Sequence, residues 1–153
     1  MNQLLLHYIM DIIKDLFDIK NILFIDAGHS KTSFILSQFS FTKFKVLGVK
    51  SIPFLGGRDF DEEIFEYAKM EYRNSFKEEF PDNPKKKVQL FTEIKKCREN
   101  LSINTEMEIK LENFHGDEDF IFILTREKFE GIVYKLMNLF SMELNDFYKD
   151  LTD

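Results

Sequence analysis

Cysteine occurs once in the 153 residues, at Cys97, so no disulfide can close within the chain. No histidine or second cysteine stands near it at metal-ligand spacing. A reducing, cytoplasmic setting is the expectation. Positive charge is also short: 21 Lys and Arg against 27 Asp and Glu give a formal net charge of −6, which argues against a nucleic-acid partner. The only tight basic run, Lys85-Lys86-Lys87, follows Pro81-Asp82-Asn83-Pro84 and reads as the solvated start of a helix. Long apolar runs are missing too. Leu4-Leu5-Leu6 is soon interrupted by His7, Asp11 and Lys14, far short of the roughly 20 residues a membrane helix needs. With no positive charge ahead of the leucines, a secretory leader is not expected either.

What is present is the composition of a packed protein: 44% apolar, 31% charged and eighteen phenylalanines. Many of the phenylalanines sit beside Ile and Leu in periodic patterns, as core filling does. The length fits one domain or a large piece of one.

Leu5, Ile9, Ile12, Ile13 and Leu16 fall at helical spacing and predict a first amphipathic helix over residues 4–17. Residues 22–26 are almost wholly apolar, which predicts a strand buried on both faces and central in its sheet. Strands follow over 33–40 and 44–50, joined around Thr42 and Lys43 as a hairpin; the Val46-Leu47 doublet suggests enclosure on two sides. Asp59 is the expected N-cap of a helix reaching about residue 80, with Glu62 completing a capping box and Ile64, Phe65, Ala68 and Tyr72 on its inner face. A helix over about 85–102 carries Val88, Phe91, Ile94, Cys97 and Leu101 on one side. Residues 105–111 alternate, with Met107, Ile109 and Leu111 inward. His115-Gly116-Asp117 turns into a strand over 120–124, and Thr125 caps one last helix running to near Leu151. This order is α/β with antiparallel hairpins. The first helix begins almost at residue 1 and the last runs to the end, from which further neighbouring structure is expected.

Two glycine-bearing bends carry the chemistry. The first is Ile22-Leu23-Phe24-Ile25-Asp26-Ala27-Gly28-His29-Ser30, in which an apolar strand delivers a carboxylate to a turn. The second is Leu55-Gly56-Gly57-Arg58-Asp59-Phe60-Asp61, a glycine pair opening a helix. Asp26 can orient a divalent ion or its waters near phosphate, or it can simply accept turn hydrogen bonds. Gly28 lets a ligand approach closely, while His29, Ser30 and Lys31 offer a ring nitrogen, a hydroxyl and a positive charge. Gly56 and Gly57 are expected to cradle an anion with free N–H groups, aided by Arg58. No Walker A ending exists, and Asp26, His29 and Ser30 lie too close together for a hydrolase triad. Lys95, Arg98, Glu99 and Ser102 share a helical side, either bracketing a flat ligand or forming a wet face.

Residues 22–30, 45–61, 97–102 and 125–130 together resemble the seventy-kilodalton heat-shock chaperones and, within that family, their hundred-and-ten-kilodalton relatives. The Leu-Gly-Gly-x-Asp-Phe-Asp run of residues 55–61 is the more specific motif. The resemblance implies an actin-like ATPase fold, second lobe only. Residues 1–20 would be the remnant of the preceding lobe's last helix and linker, 21–58 the start of the lobe's three-stranded sheet, 59–124 a small α+β outer subdomain, and 125–153 the returning helix. It implies ATP or ADP with magnesium as cofactor of a complete member. Asp26 matches the aspartate that positions magnesium and its water, with Lys31 a second catalytic candidate. Gly28, His29, Ser30, Gly56, Gly57 and Arg58 fall on the phosphate side, and Lys95, Arg98, Glu99 and Ser102 on the adenosine side.

Several positions depart from the family pattern. Ser33 stands in place of an acid, Lys95 of a glutamate and Glu99 of a basic residue. Such changes weaken metal-assisted phosphoryl transfer. The implied functions are ATP-dependent chaperoning or nucleotide-exchange assistance to an ordinary heat-shock chaperone, with unfolded clients held by domains absent here. The alternatives are a non-enzymatic interaction module whose nucleotide site has decayed and, more remotely, a sugar kinase of the same architecture. The exposed face of the first helix is expected to drive self-association.

Overall fold

The computed structural model describes residues 19–152. The helix expected over 4–17, and any self-association through it, fall outside those residues. Over these residues the fold is mixed α/β with two antiparallel sheets.

The first sheet has the order β1 (Lys20–Ala27), β2 (Lys31–Phe39), β3 (Phe44–Pro53), each pair antiparallel. The middle position therefore belongs to β2. The expectation for the apolar run 22–26 is corrected: among the described residues β1 is an edge strand, and Ile22, Phe24 and Ile25 are 41%, 46% and 46% exposed. An all-apolar strand does signal two faces seeking cover, but among the described residues only Leu23 of β1 packs against a core. The β2–β3 link is a tight hairpin closed by Ser40 N–H to Lys43 O at 2.8 Å. The Val46-Leu47 doublet has a different cause from enclosure. Ser37 pairs with Val46 and Leu36 with Gly48, so Leu47 is the extra residue of a bulge, and Val46 stays 45% exposed.

Four helices follow or flank the second sheet: α1 (Gly57–Phe76), α2 (Pro84–Asn100), α3 (Arg126–Ile132) and α4 (Tyr134–Thr152), with β4 (Glu106–His115) and β5 (Glu118–Thr125) paired between α2 and α3. Helix α1 starts earlier than expected. Gly56 is its N-cap, and Asp59 is its third residue, whose carboxylate accepts the Gly56 N–H at 2.7 Å. The helix stops at Phe76 because Lys77 turns left-handed, with φ 58°. Pro84 opens α2 behind the Asn83 cap. The buried face of α2 is Leu90, Ile94 and Cys97, continued by Leu101 at its C-cap; Val88, expected inside, is 66% exposed.

Two cores result. The outer one joins α1 and α2 to the β4–β5 hairpin, and Tyr72 at its centre packs edge-on to Phe80, Phe114 and Phe120. The other lies between the three-stranded sheet and α4, where Phe34 is fully buried against Phe140 and Phe147. The single terminal helix expected from the sequence is two helices meeting at Val133. Phe129 and Ile132 serve the outer core, while Leu136, Phe140, Leu144 and Phe147 serve the sheet. One stripe thus passes from one core to the other at Val133. At the far end Leu151 lies against Gly48, where any side chain would overlap it.

Candidate functional site

The end of the β1–β2 hairpin is the bend Gly28-His29-Ser30-Lys31, closed by Gly28 N–H to Lys31 O at 2.9 Å. The chain leaving β3 is turned by Phe54, in the left-handed region at φ 58°, and comes back onto that bend. Three main-chain bonds then join the two bends: Phe54 N–H to Ser30 O at 3.3 Å, Gly57 N–H to Gly28 O at 2.9 Å, and Arg58 N–H to His29 O at 2.8 Å. The buried Thr32 hydroxyl adds a fourth by donating to Leu55 O. Gly56 is required at this contact, since a Cβ there would stand 2.5 Å from His29 O and 2.6 Å from Lys31 N.

One feature of the expected anion cradle is corrected by these bonds. The amides of Gly56, Gly57 and Arg58 already donate, the first to Asp59 and the others to the first bend. Donors already bonded within the protein are not free for an anion. The His29 and Ser30 amides at the loop tip donate to no group among the described residues.

Helix α2 supplies the third side. Arg98 donates to Asp61 of α1 through Nε at 2.6 Å and Nη2 at 3.3 Å, a bidentate pair with Asp61 buried. The guanidinium lies 3.4 Å from the point where a Gly57 side chain would begin. Together these elements enclose a cavity of about 560 Å³. Gly28, His29, Gly56, Gly57, Lys95 and Arg98 form its polar rim, and Phe60, Phe129, Met137 and Phe140 its apolar wall. A mostly apolar concavity with a few convergent polar groups is the usual form of a small-molecule site.

The sequence-predicted residues divide accordingly. Gly28, His29, Gly56, Gly57, Lys95 and Arg98 converge on the cavity. Ser30 and Lys31 belong to the first bend but are exposed outside the lining, and Arg58 is exposed with its nearest carboxylate, Asp59, 3.8 Å away. Asp26 lies on the exposed edge strand opposite Ser33, outside the cavity lining. The Ser33 hydroxyl pairs with that of Ser51 at 2.9 Å. Glu99 and Ser102 also lie outside, with the Ser102 hydroxyl donating to Glu99 O at 2.7 Å. Sequence reasoning missed the wall residues Phe129, Met137 and Phe140 as lining, and Asp61 as the anchor of Arg98. The helical stripe contained the first three, but periodicity does not tell a core face from the part of it that borders an opening.

Among the described residues no cluster of three or more His, Cys, Asp or Glu side chains could hold a metal ion, and no helix is long and apolar enough to cross a membrane.

Comparison with known proteins adds the lineage. Residues 9–152 match the family described as Hsp70 protein. Heat shock 70 kDa protein 4L of Homo sapiens is 31% identical over 119 residues, which cover 77% of this chain and 14% of that protein. A heat shock protein homolog of Saccharomyces cerevisiae is 33% identical over 114 residues, covering 74% of this chain and 16% of that one. Heat shock protein 88 of Dictyostelium discoideum is 31% identical over 121 residues, or 79% and 16% of the two chains. The chain thus spans only 14–16% of the length of these relatives.

Proposed function

Given that this chain belongs to the Hsp70 family, as part of its ATPase domain on the branch of the large heat-shock proteins, we propose that it forms one wall of a nucleotide cleft, the second lobe of an actin-like fold. The observation that carries the reading is the convergence of both glycine bends with Lys95 and Arg98 on one cavity of about 560 Å³. His29 and Ser30 offer loop-tip amides to phosphate oxygens. Lys95 adds a cation, and the Phe60 and Phe140 side of the cavity offers apolar surface to a base. Arg98, held by Asp61, keeps α2 at a fixed distance from the glycine pair.

The donor set does not fit a metal held by the protein itself. Asp26 has a serine across the ladder at Ser33, and no ligand cluster surrounds it among the described residues. Magnesium enters this reading only as the companion of the nucleotide. A cleft with one wall binds without enclosing, and water-excluded charge positioning is the main source of rate in phosphoryl transfer. The chain by itself therefore binds ATP or ADP weakly and does not turn it over. In a longer protein the same wall would serve a cytoplasmic chaperone or a nucleotide-exchange partner of one, acting on unfolded clients through other domains.

A specific observation favours a second reading, an interaction module with a decayed nucleotide site. Arg98 is already paired and the amides of the second bend are already bonded, which leaves few groups to meet a ligand. Calorimetric titration with MgATP, together with a phosphate-release assay, separates the readings. One wall predicts a saturable heat weaker than low micromolar and no release. Low-micromolar binding with turnover would refute the single wall, and the absence of any heat would leave the interaction module standing in its place.

A further inference from the structure

Arg126 carries an inference that rests on the nucleotide-wall reading and adds to it a residue outside the cavity lining. It is the first residue of α3, next to the Thr125 cap. A cation there runs against the field of its own helix, which favours an acid at the start. The side chain serves another helix instead. Nε and Nη2 donate to Leu101 O at 3.1 and 3.0 Å, and Nη2 also donates to Ser102 O at 3.4 Å and Asn104 O at 2.9 Å. The Arg126 N–H adds a bond to Thr105 O at 2.8 Å. Leu101 is the C-cap of α2, so the guanidinium sits on the negative end of that helix and on the carbonyls of the loop leaving it. The pairing of Glu106 with Thr125 brings that loop and the start of α3 together.

This clamp lies close to the cavity along both helices. Arg98 is three residues before Leu101 on α2, and Phe129 is three residues after Arg126 on α3. Three residues advance a helix by about 4.5 Å. Both side chains line the cavity, and so does Lys95 one turn further back along α2. Helix α2 therefore has two tethers. The Asp61–Arg98 pair holds it to α1 beside the glycine bends, and Arg126 holds it to α3, whose Phe129 belongs to the apolar wall. The first tether keeps the cations near the bends. The second keeps them facing the wall. A ligand gains from cation and wall together only while that spacing is fixed.

We propose that Arg126 is a positioning residue for the nucleotide wall: it holds the α2 cations and Phe129 at the spacing that lets one ATP engage both. An amide-shift titration of the full chain with ATP tests this through a double-mutant cycle of Arg126→Gln against Lys95→Glu. Arg126→Gln should weaken binding about fivefold, by releasing the two sides from each other. Lys95→Glu should weaken it about fivefold alone and less than about twofold beside Arg126→Gln, because a ligand held by the wall alone no longer senses the rim. A merely structural role for Arg126 would leave the two effects multiplying, and that result overturns the proposal. So does unchanged affinity in either single variant. Should Arg126→Gln not fold, Arg126→Lys enters the same cycle, since an ammonium keeps the charge and loses the fork that spans three carbonyls. Absence of binding by the parent chain overturns the nucleotide reading and this inference with it; binding with multiplying effects overturns this inference alone.

Discussion

Replacing Gly56 by alanine should do more damage than a single methyl group ordinarily does. The Gly56 backbone is extended, with φ −130° and ψ 178°, so alanine adopts it without conformational strain. The cost comes from contact. The new carbon would stand 2.5 Å from His29 O, 2.6 Å from His29 C and 2.6 Å from Lys31 N, all main-chain atoms that no rotamer change can move. Relief requires the two bends to part by roughly 1 Å to reach ordinary contact distance. Gly57 N–H to Gly28 O at 2.9 Å and Arg58 N–H to His29 O at 2.8 Å cannot survive that displacement unchanged. Two main-chain hydrogen bonds at about 1 kcal/mol each, with about 1–3 kcal/mol for overpacking, put the loss near 3–5 kcal/mol. Urea unfolding followed by far-ultraviolet circular dichroism measures it. Gly131→Ala is the control: nothing lies within 4 Å of its Cβ position in α3, and alanine there should stabilise by about 0.5–1 kcal/mol. A Gly56→Ala chain within about 0.5 kcal/mol of the parent would refute the contact between the bends.

Other outcomes follow from the same structure. Arg98→Ala strands the buried Asp61 carboxylate and should cost about 3 kcal/mol in urea unfolding; a double-mutant cycle with Asp61→Ala should recover most of that as coupling between the two side chains. Lys95→Glu reverses an exposed charge on the cavity rim, so calorimetry should find ATP binding weakened about fivefold with stability changed by less than about 0.5 kcal/mol. Burial pushes the Cys97 thiol up to about 11, and burial together with the neighbouring Glu71 pushes the Tyr67 phenol up to about 12. Both groups are raised in the folded state, so their contribution is complete below their ordinary values and fades as pH climbs through the raised ones. Unfolding free energy should therefore be flat to about pH 9 and fall from there toward 12, and Cys97→Ala should remove the early part of the fall; an unchanged profile in that variant would contradict the burial of the thiol.

Local patterns carried much of the fold to the reader of the sequence. The inner faces of α1 and β4, the Asn83-Pro84 helix start and the Thr125 cap all follow from periodicity or capping chemistry, which operate within a few residues. What was misread depends on distant partners. An all-apolar β1 reads as central, yet among the described residues only β2 pairs with it. Val46-Leu47 reads as a two-faced strand because a bulge repeats a face, and a bulge is defined by its neighbour. The terminal helix divides at Val133 because two cores compete for one stripe. At the site, the glycine bends and the α2 cations were legible as motifs and do converge on one cavity. The use of the second bend's amides to hold the first was not legible, because it depends on how closely Gly56 lets the two backbones approach.

If the two glycine bends and the α2 cations act together as a nucleotide-facing wall, ATP must touch them together. The most direct test is a titration of isotope-labelled chain with ATP, followed by amide chemical shifts. Shifts should concentrate at Gly28, His29, Ser30, Gly57, Lys95 and Arg98 and move together along one saturation curve. Shifts confined to the β4–β5 hairpin, or none at concentrations where calorimetry finds heat, would contradict it.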